Sequence, residues 1–367
     1  MTEENKNIFK LTDDGETLRK VSKEADGKVI VPFGVKDILG GAFADCKGIT
    51  SVFIPRTVEY IGIRAFSNCS NLETITIPFS VRNIKHAAFE GCESLEEVRY
   101  EGTLEHYCRI NFESMSSNPC SQGANLIIGN DLVTEIRIPS TISEIKKYAF
   151  TGCASLTKVT FHPFVTDVFD CAFCGCHNLK EVDFPGRTCL YDEVFMRCRK
   201  LSNVSLSDEV IFSGSGIFGA CYRLKHIKLP NTLESLPSST FFGCLSLQSV
   251  EFGSNIKSIG SQAFRSTNLR LLNLPPSLED LQDGAFSSCN KLRSVYIPAS
   301  VTTVEPTIFS YSACALTIYC ESCPQEKWHD RWNVCDGDDD SEEPATFSTH
   351  YNVPLWWFEE NANKKTV

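Results

Sequence analysis

The fold is decided by residues 72–92, which read LETITIPFSVRNIKHAAFEGC. Ile75 and Ile77 alternate with threonines, as the residues of a half-buried β-strand do, and Pro78 ends this segment. A second apolar segment, VRNI, follows, and an Ala-Phe pair with a cysteine three residues after the phenylalanine closes the unit. The next unit opens at Leu95. This stretch therefore predicts one complete turn of a coil.

The same unit recurs along most of the chain. Phenylalanines occupy the equivalent position at residues 43, 66, 89, 112, 150, 173, 195, 218, 241, 264, 286 and 309. Their spacing is 22 or 23 residues, except for 38 residues between Phe112 and Phe150. A fixed period in this range is typical of solenoids, whose repeats bury their apolar faces only against neighbouring repeats. We therefore predict about 12 coils that form a curved parallel β-sheet of short strands, with 3₁₀ or helical turns on the other faces.

The ends of the chain and the long interval depart from the period. An Asp-Asp-Gly turn at residues 13–15, between apolar runs, predicts a β-hairpin that caps the solenoid within residues 1–28. The solenoid itself should span residues 29–319, with an insertion-bearing, widened coil at 100–135. Residues 320–367 should form a C-terminal cap, in which we expect a short helix at 324–332, an acidic loop at 336–343 and a returning strand at 351–358.

Half of the cysteines belong to the repeat. Nine of the 18 stand three residues after a repeated phenylalanine. Stacked coils would place them about 5 Å apart, in positions that suit small free thiols packed as compact hydrophobes. We expect a reduced structural ladder rather than disulfides. The pairs are Phe43 and Cys46, Phe66 and Cys69, Phe89 and Cys92, Phe150 and Cys153, Phe173 and Cys176, Phe195 and Cys198, Phe218 and Cys221, Phe241 and Cys244, and Phe286 and Cys289.

Composition narrows the class of protein. The formal charge of −11 argues against a nucleic-acid partner. No apolar run approaches the length of a membrane span, and the N-terminal residues MTEENKNIFK lack the apolar core of a signal peptide. The sequence as written therefore predicts a cytoplasmic monomer, or a cell-surface or secreted protein if a leader has been removed.

The repeat also resembles a known family. The pattern A-F-x-G-C-x-x-L-x-x-V-x-I-P-x-x-V-x-x-I is similar to the BspA-like class of leucine-rich repeats, over about residues 29–332. These repeats occur on surface proteins of oral and gut bacteria and in some parasitic protists. The resemblance implies a leucine-rich repeat solenoid that binds proteins, in adhesion or host interaction, without catalysis.

A binding site should lie on strand residues that face away from the core, on either side of the central apolar residue. Phe53, Leu271 and Tyr296 are candidate apolar anchors on this open face. The alternative interpretation is that cross-strand ion pairs, such as Glu135 with Lys158, only keep the sheet soluble. The candidate binding residues are Phe53, Arg99, Arg137, Lys158, Glu181, Asp183, His226, Lys228, Leu271 and Tyr296.

Catalytic and metal-binding motifs are sparse. The seven histidines form no triad or zinc motif, and no phosphate-binding glycine loop is present, so we expect neither an enzyme nor a cofactor. A weak zinc candidate comprises Cys320, Cys323, His329 and Cys335. The sequence favours a non-enzymatic protein-binding module that engages an unknown protein partner through the open sheet face or the widened coil. The alternatives are an architectural spacer in a larger assembly or a small metal-binding protein.

Overall fold

The computed structural model describes residues 8–312, 315–330, 332–335 and 345–361, without the side chains of Cys335 and Ala345. The chain divides into two compact units, Met1–Leu179 and Lys180–Val367. Both units are parallel β-solenoids, with about 13 turns in total. The predicted fold class is confirmed.

Strands are the main regular secondary structure in the described part of the first unit, and turns connect them. Its one α-helix is five residues long, and its two 3₁₀ turns, at Met115–Ser117 and Pro119–Gln122, lie in the widened coil. In chain order the strands and the helix are β1 (Phe9–Leu11), β2 (Thr17–Val21), β3 (Gly27–Ile30), β4 (Asp37–Ile38), β5 (Ile49–Phe53), β6 (Tyr60–Ile61), β7 (Thr74–Ile77), β8 (Asn83–Ile84), β9 (Glu97–Tyr100), α1 (Leu104–Cys108), β10 (Asn111–Phe112), β11 (Asn125–Ile128), β12 (Asp131–Leu132), β13 (Glu135–Arg137), β14 (Glu144–Ile145), β15 (Lys158–Thr160) and β16 (Asp167–Val168).

The second unit repeats this plan and ends in a seven-residue helix. Its elements are β17 (Glu181–Phe184), β18 (Cys189–Leu190), β19 (Asn203–Leu206), β20 (Ile211–Phe212), β21 (His226–Lys228), β22 (Ser235–Leu236), β23 (Ser249–Glu251), β24 (Ser258–Ile259), β25 (Leu271–Asn273), β26 (Asp280–Leu281), β27 (Ser294–Ile297), β28 (Thr303–Val304), β29 (Thr317–Cys320), β30 (Lys327–Trp328), β31 (Val334–Cys335), β32 (Ala345–Thr346), β33 (Ser348–His350) and α2 (Leu355–Asn361).

Each ordinary coil contributes one long strand of three to five residues and one short strand of two residues. The N-terminal strands β1 and β2 join the short-strand ladder, and the two-residue β12 ends a long-strand ladder. In the first unit the long strands form the ladders β3-β5-β7-β9-β11-β12 and β13-β15, and the short strands form β1-β2-β4-β6-β8-β10 and β14-β16. In the second unit the long strands form β17-β19, β21-β23 and β25-β27-β29-β33, and the short strands form β18-β20 and β22-β24-β26-β28-β30. Residues one coil apart pair directly, as Val52 does with Ile75 and Ile75 with Val98.

Stacked phenylalanines fill the core. Ring centroids of successive coils lie 4.5–5.2 Å apart in the first unit and 5.2–5.9 Å apart in the second, with nearly parallel planes. The segment after each phenylalanine is a hydrogen-bonded turn, in which, for example, the Cys46 N–H donates to the Phe43 carbonyl over 3.1 Å. These segments are not helical, so the prediction of 3₁₀ or helical turns was wrong in the ordinary coils. The phenylalanine and the cysteine are three residues apart because they are the first and last residues of one hydrogen-bonded turn.

The turn explains the glycine of the repeat. The residue two positions after the phenylalanine has a positive φ, which an L-residue adopts at a cost unless it is glycine, asparagine or aspartate. Gly91, Gly152 and Gly175 occupy it with φ of 71–74°, and Asp45 and Asn68 occupy it with φ of 59°. Glycine, asparagine or aspartate therefore suits this position and fills it in six coils, whereas Arg197, Ala220, Ser266, Ser288 and Tyr311 adopt the same conformation, with φ of 56–62°, at a cost.

The cysteine ladder is held by hydrogen bonds to the backbone. The Cys69 thiol donates to the Phe43 carbonyl over 3.1 Å, and the Cys92 thiol donates to the Phe66 carbonyl over 3.1 Å. The Ser312 hydroxyl makes the same bond, to the Phe286 carbonyl, over 3.1 Å. The position thus selects a small side chain that is also a donor, a requirement the sequence did not reveal. The sixteen cysteines that the structure describes are all unbridged.

The widened coil interrupts both ladders of the first unit. Phe112 is not a member of the phenylalanine stack, because it lies in β10 and pairs with Ile84. The buried ring of Tyr107, from α1, instead contacts Phe150 with centroids 5.4 Å apart. Across the interruption the fully buried Asn118 side chain donates from Nδ2 to the carbonyls of Tyr148 and Ala149, over 2.9 and 2.8 Å.

At the N-terminal end β1 pairs antiparallel with β2 in a β-hairpin, and β2 continues into the parallel short-strand ladder. Within the described part of the chain, no helix has the length and apolar character needed to cross a membrane.

The C-terminal cap differs from the prediction. The returning strand is residues 348–350, which pair parallel with β29, whereas residues 351–358 were predicted. Pro354 ends the extended segment, and α2 begins at the next residue, because proline is favoured at a helix start. The predicted helix at 324–332 is also wrong, since Lys327–Trp328 extends the short-strand ladder as β30. The predicted acidic loop at 336–343 lies outside the described residues.

Candidate binding face

The side chains that point away from the core on the long strands form a surface that we call the open face. In the first unit Arg99 and Arg137 are exposed on it, and Phe53 and Lys158 are half-buried. Arg99 is paired with Glu97 on its own strand over 2.5 Å. This part of the open face is mainly polar, and at least one of its arginines is already paired within the protein.

In the second unit the chemical character of the open-face side chains changes from one long strand to the next. Glu181 and Asp183 of β17 lie in register with Asn203 and Ser205 of β19. The next long strand, β21, presents His226 and Lys228, both exposed. The face thus runs from carboxylates through neutral polar groups to the imidazole of His226 and the ammonium of Lys228 within three coils. Of the predicted binding residues, Glu181, Asp183, His226 and Lys228 are the group that the structure brings together.

An open groove of about 1110 Å³ crosses these three strands, where the long-strand ladder is interrupted between β19 and β21. Four cations from the loops that precede the strands line one side of it. They are Lys180, Lys200, Arg223 and Lys225. We call this surface, from β17 to β21 with its four rim cations, the basic groove. A concentration of cations in a chain of formal charge −11 creates a local field opposite in sign to that of the whole protein.

The sequence analysis missed the rim cations. They precede the strands, at positions that hold different residue types from coil to coil, and strand periodicity does not single them out. A signal was present in the sequence, because Lys180 and Lys225 both stand directly before the first residue of their strands. That column holds only two of the four rim cations, since Lys200 and Arg223 stand three residues before their strands.

Two predicted anchors are not available on the open face. Tyr296 is 1% exposed, and its ring lies 5.3 Å from that of Phe358 in α2. Leu271, Val353, Leu355 and Trp357 pack on the same cluster, which includes Tyr319. The expectation that Tyr296 is exposed was therefore wrong, and Leu271 is partly covered. The reason is that the chain folds its own C-terminal helix onto this end of the face.

The weak zinc candidate is not assembled. Cys320 is buried at the end of β29, and Cys323, three residues later, is exposed. Among the described residues, Cys320, Cys323 and His329 do not form a trio with ligand atoms within 4.8 Å of one another. The Cys335 side chain, the fourth member, lies outside the described atoms.

Three of the ladder thiols, those of Cys46, Cys244 and Cys289, are poorly suited to nucleophilic or redox chemistry. Burial raises the pKa of Cys46 to about 11, that of Cys244 to about 12 and that of Cys289 to about 11. Thiolates are the reactive form of cysteine, and a raised pKa removes them at neutral pH. These cysteines therefore serve packing and hydrogen bonding.

Comparison with known proteins agrees with this architecture. The sequence matches the BspA-type leucine-rich repeat region, in six copies, over residues 27–121, 127–221 and 188–317. The matched residues make up most of the chain, which therefore belongs to the BspA-type leucine-rich repeat family. Proteins of this family are generally non-enzymatic scaffolds. No curated protein sequence matches the chain.

Solved structures share the fold. A leucine-rich cell surface protein from Faecalibacterium prausnitzii is 23% identical, with 89% of this chain and 94% of that chain covered and a TM-score of 0.57. The pneumococcal vaccine antigen PcpA is 17% identical, with 97% of this chain and 95% of that chain covered and a TM-score of 0.50. At these identities the similarity describes the fold alone.

Proposed function

We propose that this protein is a non-enzymatic protein-binding module that engages an acidic segment of its partner through the basic groove. The fold is compatible with a protein-binding role, and a role in adhesion or host contact is the part of this proposal that the family membership suggests. The partner would meet the open face of β17, β19 and β21 directly.

The proposal depends on one observation: the basic groove is exposed, whereas another part of the open face is covered by the chain itself. From β25 to β29 the open face is overlaid by α2, whereas from β17 to β21 the charged side chains line an open groove. Cations that line a concave surface attract and orient a negatively charged partner. The carboxylates of Glu181 and Asp183 at the far end would fix the direction in which the partner lies.

Site-specific photocrosslinking tests this assignment. A photoreactive residue replaces Ser205, at the centre of the basic groove, and the control replaces the exposed Glu209 outside it. Each protein is incubated with surface proteins extracted from bacterial or epithelial cells. We expect a defined adduct from position 205 that is absent at position 209 and lost when R223E and K225E are added. Equal adducts from both positions, or none from position 205, would contradict the proposal.

A further inference from the structure

A second concave site lies in the first unit, beside the widened coil. It is a pocket of about 390 Å³, within the size range of small-ligand pockets. Its floor comes from β8 and β10, one wall from α1, and the opposite side from the residue that follows β14. The short-strand ladder is interrupted between β10 and β14, and this interruption opens the pocket.

The pocket carries an excess of positive charge. Arg82, Arg109 and Lys146 all line it. The Arg109 guanidinium is paired with Glu105 over 2.9 Å, and the Lys146 ammonium donates to the Arg109 carbonyl over 3.0 Å. Among the described residues Arg82 forms no ion pair, so its guanidinium retains a free set of donors for an anion.

The remaining lining is suited to a ring. Phe79 is 51% exposed, and its ring centroid lies 6.3 Å from that of His106 on α1. An exposed phenyl ring at the mouth of a polar pocket offers a flat apolar face for stacking. Asn83 and Asn111 add amide groups at the floor, where each can both donate and accept hydrogen bonds.

We propose that this pocket binds a small ring that bears a carboxylate, such as an acidic monosaccharide. The carboxylate would contact the guanidinium of Arg82 and the Lys146 ammonium. The apolar face of the ring would lie on Phe79, and its hydroxyls would contact Asn83 and Asn111. This site is separate from the basic groove and does not depend on a protein partner. The competing interpretation is that the cations are only solvated, which predicts no preference for any of these chemical features.

Ligand-observed NMR titrations distinguish the two. The probes are glucuronate, which has ring and charge, glucose, which has the ring alone, and inorganic phosphate, which has the charge alone. We expect glucuronate to bind at least about tenfold more tightly than either of the others, since each lacks one of the two contacts. Glucose binding as tightly as glucuronate, phosphate binding as tightly as glucuronate, or no glucuronate binding at millimolar concentrations would each overturn the proposal.

Variants assign the two contacts. R82Q should weaken glucuronate binding about tenfold, whereas R19Q, which removes an exposed arginine of β2 in the same unit, should leave it unchanged. F79A should weaken glucuronate binding several-fold and leave phosphate binding as it was. Thermal melts of each variant confirm that the fold is intact. Equal effects of R82Q and R19Q would show that only general charge is being measured.

Discussion

The ring of Phe358 lies 5.3 Å from the ring of Tyr296, and Tyr319 completes the contact at 5.4 Å from Phe358. The C-terminal helix thus occupies one end of the open face, and it does not line the basic groove. This internal contact shows which end of the face is covered by the chain itself.

Removal of the Phe358 ring should release the helix. Phe-to-Ala changes at buried sites cost about 3–5 kcal/mol, and a seven-residue helix has little stability of its own. F358A should therefore abolish hydrogen-exchange protection of α2 and increase the binding of a hydrophobic dye. W356A is the matched control, since Trp356 is 62% exposed and its loss should change neither property. Similar results for both variants would argue that α2 is not anchored by Phe358.

Within one coil, loss of the repeated phenylalanine should destabilise the protein more than loss of the cysteine that follows it. Phe89 stacks on Phe66 with centroids 5.0 Å apart, whereas Cys92 contributes one thiol hydrogen bond, to the Phe66 carbonyl. We expect F89A to lower the free energy of unfolding by about 3–5 kcal/mol and C92A by about 1 kcal/mol. Urea denaturation measures both. A loss from C92A as large as that from F89A would mean that the thiol has a role beyond packing and hydrogen bonding.

The buried Asn118 amide should be important for continuity across the widened coil. N118A would leave the carbonyls of Tyr148 and Ala149 without their side-chain donor in a buried site, and each lost partner costs about 1–3 kcal/mol. We expect a loss of about 2–4 kcal/mol in the free energy of unfolding of the first unit. N231A, which removes an exposed amide that pairs with Asp208, should cost well under half as much. Equal losses from N118A and N231A would show that the Asn118 hydrogen bonds across the widened coil are dispensable.

Stability should fall in alkaline solution. Burial raises the pKa of Cys244 to about 12 and that of Cys289 to about 11, whereas an unfolded thiol titrates near about 8.5. Above that pH the unfolded chain releases protons that the folded chain retains, so the folded state is progressively disfavoured. Each such thiol contributes up to about 1.4 kcal/mol per pH unit. Urea midpoints between pH 7.5 and 10 should decrease, and C244A should reduce the slope. A flat profile would contradict this.

Much of the fold follows from the repeat alone. The spacing of Phe66 and Phe89 identifies stacked coils, since a side chain that recurs every 22 or 23 residues must meet its equivalents in neighbouring turns. Phe112 fits the same arithmetic and yet lies in β10, because spacing along the chain does not record the path of a widened coil.

The candidate sites were less predictable. The side chains of Glu181, Asp183, His226 and Lys228 are visible as alternating strand residues, but the rim cations precede the strands. The burial of Tyr296 was not visible either, since it depends on a helix more than 50 residues away that has no repeat register. Sites that arise from contacts between irregular segments and the repeat require the three-dimensional structure.

Selection of a random peptide display library on the full-length protein tests the central claim most directly. We predict that recovered peptides are enriched in aspartate and glutamate and bind more weakly as salt is raised. Their affinity should fall at least about tenfold, or about 1.4 kcal/mol, for the R223E/K225E variant and stay unchanged for R187E/K257E, which reverses two cations outside the basic groove. Peptides without acidic enrichment, or equal affinities for the two variants, would contradict the assignment of the basic groove as the binding site.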